Sequence, residues 1–160
     1  MCNFFSGICL KDKTVLWEEG LDSHDEILTK FEVPDNTDRP DLMKFFRFEI
    51  TPPVNENSVF EKDRSHWNFR IDERIRPEWV SPAHEEACQQ ALRNCLAACV
   101  FDGAQIEELR DRKGIYLRNT TVDRLMGSTE IVAMHGSSTV QDMWDSSTVQ
   151  NMRGDRKSVV

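Results

Sequence analysis

Residues 137–152 read SSTVQDMWDSSTVQNM, one nine-residue phrase stated almost twice. Set in nines from residue 119, the neighbouring chain falls into the same pattern: NTTVDRLMG, STEIVAMHG, SSTVQDMWD and SSTVQNMRG. Val122, Ile131, Val140 and Val149 share one column, and Leu125, Met134, Met143 and Met152 share another. Gly127, Gly136, Asp145 and Gly154 close the units. A short β-prone core, two apolar columns three residues apart and a turn residue at the end specify a β-solenoid in which each unit is half a coil. The Val and Met columns are expected to stack inward, and the Ser, Gln and Asp positions to face water. A helix is excluded, because it would have to absorb a Gly or a Ser-Ser-Thr in each unit. A disordered Ser/Thr-rich tail would not keep regular apolar columns.

Working outward, Ile106 and Leu109 repeat the separation of Val122 and Leu125, so an irregular first coil is expected to begin there. The calcium-binding nonapeptide solenoids share the period but need G-G-x-G-x-D, which is missing here, and calcium is not expected. Coils bury their faces only against neighbours, and the last one exposes strand edges. The open end is therefore expected to be covered by a second copy, giving a dimer or higher homo-oligomer, or else by the tail DRKSVV. The residues placed at that contact are Val140, Met143, Trp144, Val149 and Met152. Trp144 shares its column with Met126, His135 and Arg153, which is not a core column.

Upstream of the repeats, FFSGICLKDKTVLW reads as a hairpin turning at Lys11-Asp12-Lys13. DSHDEILTKF opens with Ser23 and Glu26 at capping-box spacing and carries Ile27, Leu28 and Phe31 on one helical face. MKFFRFEIT alternates Phe46, Phe48 and Ile50 against Phe45, Arg47 and Glu49, while HWNFRIDE alternates Trp67, Phe69 and Ile71 against Asn68, Arg70 and Asp72; both patterns mark half-buried strands. A long helix follows, with Ser81 as N-cap, Pro82 at its first position, an apolar stripe of Cys88, Leu92, Cys95 and Cys99, and Gly103 just past its end. The predicted fold class is α+β: a small, mostly antiparallel sheet covered on one face by two helices, followed by the short solenoid. The predicted domains are a head over 1–103, a repeat segment over 104–154 and a tail over 155–160.

The chain has 160 residues, 39% of them hydrophobic, with four Trp and nine Phe. That aromatic content implies a real core. A net charge of −8, spread among interspersed acids and bases, disfavours direct nucleic-acid binding, and no block of acids is long enough to imitate a phosphate backbone. No apolar run approaches the ~18 residues of a membrane span, and no signal-peptide layout opens the chain, so a cytoplasmic protein without membrane association is expected. Five cysteines, none in a C-x-x-C pair, read as core residues of a reducing compartment, with neither a disulfide frame nor a zinc site. No metal and no cofactor is expected.

The opening MCNFFSGICLKDKTVLW, the following DSHDEIL and the later FRFEITPP resemble small accessory proteins of phages and their bacterial hosts, some with similar Ser-Thr-Val-Gln-x-Met tails. The resemblance covers about two thirds of the chain. It implies a setting, a mobile-element protein acting on a host defence or host factor, in the host cytosol, and it implies no activity.

Two kinds of chemistry remain. Removal of Met1 would leave Cys2 with its thiol beside a free α-amine, as in N-terminal-nucleophile amidohydrolases, with His24, Asp25, His66 and Asp72 as possible base and orienting groups. The opening is similar to choloylglycine-type members of that group, although the chain is far shorter and no second half of an αββα sandwich follows. Arg47, Arg70, Arg74 and Arg76, on or near the predicted strands, form a candidate site for a phosphate or carboxylate of a small nucleotide-like ligand. His84 and His135 lie in different elements and form no ligand set. The preferred reading is a non-enzymatic binding and assembly protein whose target is a host macromolecule or small signalling ligand; the alternative is a Cys2-dependent hydrolase or transferase.

Overall fold

A computed structural model describes residues 5–21, 23–35, 42–53 and 58–153. The chain divides into two compact units, residues 1–95 and 96–160.

In the first unit, β1 (Phe5–Leu10) and β2 (Val15–Leu16) form the predicted hairpin. Its turn is held by Asp12, whose Oδ1 accepts the Thr14 N–H at 2.9 Å; that bond keeps the Asp12 carboxyl below its ordinary range. After α1 (His24–Lys30) come β3 (Phe45–Thr51) and β4 (Asn68–Ile71), and the antiparallel sheet has the order β2-β1-β3-β4. The helix α2 (Pro82–Cys99) completes the unit and carries the chain into the next. Ser23 has N-cap backbone geometry for α1, but its side chain makes no capping bond. At α2, Ser81 and His84 form the cap instead: the Ser81 N–H donates to His84 Nδ1 at 3.2 Å, as a capping-box Glu would receive it. Nδ1 therefore accepts, and Nε2 donates to the Lys11 carbonyl at 3.1 Å.

The expectation that both helices cover one face of the sheet is corrected by the register. Residues opposite each other in a ladder point the same way, so Ile8, Arg47 and Asp72 share one face with Phe45 and Glu49, while Cys9, Phe46 and Phe48 belong to the other. Ile27 and Leu28 of α1 pack with Ile8 and Phe45 on the first face. On the second, the ring of His84 lies against Phe46, and Cys88 meets Cys9. With a helix on each side, β3 is buried almost throughout, and Glu49, expected at a solvent face, is only 8% exposed. Cys9, Cys88, Cys95 and Cys99 are free thiols, the last three on α2 at the helical spacing read from the sequence. The hydrogen bond to Cys9, with burial, pushes the Cys88 thiol above its ordinary range, so it stays protonated.

The second unit is a parallel β-solenoid of roughly three turns. Its strands are β5 (Val100–Asp102), β6 (Gln105–Arg110), β7 (Ile115–Arg118), β8 (Thr121–Met126), β9 (Glu130–His135), β10 (Thr139–Met143) and β11 (Thr148–Arg153). They alternate between two sheets, ordered β10-β8-β6 and β11-β9-β7-β5. Each nine-residue unit is half a coil: Val140 stacks on Val122 and Val149 on Ile131. Val122, Leu125, Ile131, Met134 and Val140 are fully buried, as the columns predicted. The irregular first coil is present, with Ile106 on Val122 and Leu109 on Leu125. It starts earlier than expected, since α2 stops at Cys99 and Val100–Asp102 is already a strand.

The expectation that every Ser position faces water is also corrected. Thr120, Thr129 and Ser138, the second residue of successive units, are buried at the corners. Their hydroxyls lie 2.9, 2.7 and 2.7 Å from the carbonyls of Arg118, Met126 and His135, each of which also accepts a backbone N–H, from Gly103, Asp111 and Asn119. The unit-closing glycines have a similar physical reason. Gly136 has a φ of 61°, and a Cβ there would collide with Asn119 Oδ1 of the preceding coil. That oxygen cannot retreat freely, because it accepts the Ser137 N–H at 3.2 Å. Gly136→Ala is expected to lower the stability of the solenoid by about 2 kcal/mol or more. A thermal melt superimposable on that of the parent would show that this interlock does not matter.

Candidate functional site

The structure brings His24, Glu49 and Asp72 together on the face of the sheet covered by α1. One ligand-type atom from each lies within 4.8 Å of the others. The three come from different elements: His24 is the first residue of α1, Glu49 is in the middle of β3, and Asp72 follows β4. Hydrogen bonds fix the orientation of two of them. His24 Nε2 is 3.1 Å from the Phe48 carbonyl, which can only accept, so Nε2 donates to it and Nδ1 is the ring atom turned toward Asp72. Nδ1 faces Asp72 Oδ2 across 3.7 Å, too far for a direct hydrogen bond. The other Asp72 oxygen accepts from Arg70 Nη2 at 3.0 Å, and the Asp72 backbone N–H is tied to the Arg47 carbonyl. Among the described residues Glu49 takes no hydrogen bond or ion pair. Ser6, itself buried, stands directly across the ladder from it.

The candidate residues for catalysis separate. Cys2 lies outside the described residues. Asp25 is exposed on α1 and lines a shallow surface hollow with Leu21, Glu26, Thr29 and Lys30, whereas its neighbour His24 is buried against the sheet. His66 is paired with Glu61 at 3.1 Å, and His84 is absorbed in the cap of α2. Among the described residues of that group, His24 and Asp72 come together, and Glu49, which the sequence reading did not name as a site residue, joins them.

The four arginines do not form one cradle. Arg47 is taken up by structure: its guanidinium lies 3.2 Å from Glu73 and 2.6 Å from Asp35, and its side chain is 13% exposed. Arg70 is spent on Asp72, and Arg74 and Arg76 are exposed in the connection after β4.

In the second unit the residues placed at a self-association surface are on the terminal coil. The column that is fully buried at Ile131 and Met134 becomes half-buried at Val149 and 46% exposed at Met152. Met143 is half-buried, Val140 on the same strand is fully buried, and Trp144 is 57% exposed at the corner. Gly154, the last repeat position, lies outside the described residues, as does the tail. No helix among the described residues is long and apolar enough to cross a membrane. Comparison with protein families, with curated proteins and with solved structures finds no match to this chain.

Proposed function

We propose that the chain is a binding and assembly protein whose solenoid joins two copies at their open ends. The observation carrying this reading is the apolar column that runs buried through Ile131 and Met134 and emerges at Val149 and Met152. β10 and β11 are the terminal strands of their sheets. Their sequences, TVQDM and TVQNMR, contain neither Pro nor Lys, the residues that commonly protect an edge from pairing. A two-fold contact between open ends aligns such edges antiparallel, so the same surface serves both copies and the assembly closes at two. Each head then carries its own candidate site. A host macromolecule or a small ligand is the proposed target, in the accessory-protein setting suggested by the opening residues.

Sedimentation at micromolar concentration tests the reading, with the parent chain expected as a dimer. Replacing Val149 and Met152 together by Asp places charge where apolar surface is to be buried, and is expected to weaken association at least about a hundredfold, from roughly 3 kcal/mol of lost burial. Circular dichroism of the variant should remain that of the parent, since neither residue is fully buried within its own chain. A monomeric parent would overturn the proposal. So would dimerisation that appears only after deletion of residues 154–160, because the tail would then be the natural cover.

A further inference from the structure

We infer that His24 Nδ1, Glu49 and Asp72 Oδ2 form a binding site for one divalent first-row transition-metal ion of the zinc, manganese or iron class. This goes beyond self-association and does not depend on it. The argument begins with charge. A ring nitrogen and two carboxylates facing one another favour a positive charge between them, either a metal ion or a proton on Nδ1, and Glu49 is only 8% exposed. Among the described residues no side chain donates to Glu49, and the one nearby guanidinium contact, from Arg70, is on the outer oxygen of Asp72. The oxygen facing His24 is left available.

One pair of ligand atoms stands near the spacing found around an ion, and Glu49 offers an oxygen within 4.8 Å of both. Ligand atoms bound to one ion at about 2.0–2.2 Å stand roughly 3–3.6 Å apart, close to the 3.7 Å between His24 Nδ1 and Asp72 Oδ2. The surrounding contacts are those that orient metal ligands: the second ring nitrogen of His24 donates to a backbone carbonyl, and the second oxygen of Asp72 is hydrogen-bonded. The donor set selects the class of ion. An imidazole nitrogen disfavours magnesium and calcium, which take oxygen ligands, and one nitrogen with two carboxylates suits zinc, manganese or ferrous iron. Three protein ligands leave at least one coordination position open. Asp72, 38% exposed in its side chain, marks the side from which water or an oxygen of a small ligand would reach it.

The sequence expectation of no metal rested on cysteine pairs and histidine pairs, and this donor set uses neither. It is assembled from positions about 25 residues apart by a helix and two strands meeting on one face.

Cobalt(II) is the probe, titrated into the full chain after chelator treatment and followed by its visible absorption and by thermal melting. One ion per chain is expected, with a rise in melting temperature by mass action. Glu49→Gln and Asp72→Asn, both close in shape to the parent, are each expected to weaken binding at least about tenfold, whereas exposed Glu107→Gln leaves it unchanged. If Glu49→Gln does not fold, Asp72→Asn decides the matter alone, because its side chain is more than a third exposed. Absence of saturable binding, the result expected if a proton on His24 supplies the positive charge, overturns the proposal. Binding that persists in Asp72→Asn overturns it as well, since the ion would then be held elsewhere.

Discussion

Replacing Phe48 by Ala is expected to destabilise the head by about 3–5 kcal/mol, the range for emptying a fully buried aromatic site. Phe48 is fully buried at the centre of the second sheet face, with ring centroids of Phe5, Phe46 and Phe69 at 5.9, 6.3 and 6.0 Å. Its ring also fills the space above Gly7, where a Cβ would stand 2.6 Å from Phe48 Cζ. No small residue can occupy both places, so the cavity has few means of collapse. The consequence reaches the opposite face through the backbone, because the Phe48 carbonyl holds His24 Nε2. Urea unfolding followed by tryptophan fluorescence is the measurement. For Phe48→Leu, which keeps most of the volume, a loss of about 1–2 kcal/mol is expected. A loss below about 1 kcal/mol for Phe48→Ala would mean that the aromatic cluster is not the core of the head.

The second large effect is expected at a corner of the solenoid, where Thr129→Val should cost about 2–4 kcal/mol although it conserves shape. The Thr129 hydroxyl is 2.7 Å from the Met126 carbonyl and 3.1 Å from that of Leu109, and it accepts the Arg112 N–H at 3.4 Å. Valine fills the same space but leaves these buried backbone groups without a side-chain partner. Thr148→Val is the control: Thr148, at the third position of the last unit, is exposed, and a change within about 0.5 kcal/mol is expected. Thermal unfolding of the two variants side by side separates a hydroxyl that completes a corner from one that meets water. Equal melting temperatures would remove the corner hydroxyls from the account of stability.

That corner also shows where reading the chain as a string misplaces residues. Polarity places the Ser positions in water, yet Thr120, Thr129 and Ser138 are buried, since a short hydroxyl at a tight corner supplies a second hydrogen bond to a carbonyl of its own turn. The signal was present: the second position of every unit is Thr or Ser, including Ser147, while neighbouring positions vary. Arg47 was misplaced for a different reason. Alternation along β3 assigns it to an open face, but Glu73 and Asp35 come from outside the strand to enclose it. No pattern within the strand records that covering.

The sequence by itself determined the solenoid, because a translational repeat imposes the same environment on every ninth residue and the apolar columns then have one place to go. It also determined the strands and helices of the head, whose periods of two and of three to four are written locally. Only the tertiary structure decided which helix covers which face of the sheet, and with it the burial of Glu49 and the meeting of His24, Glu49 and Asp72. That meeting depends on strand register and on the packing of α1, relations between distant segments that no local pattern expresses.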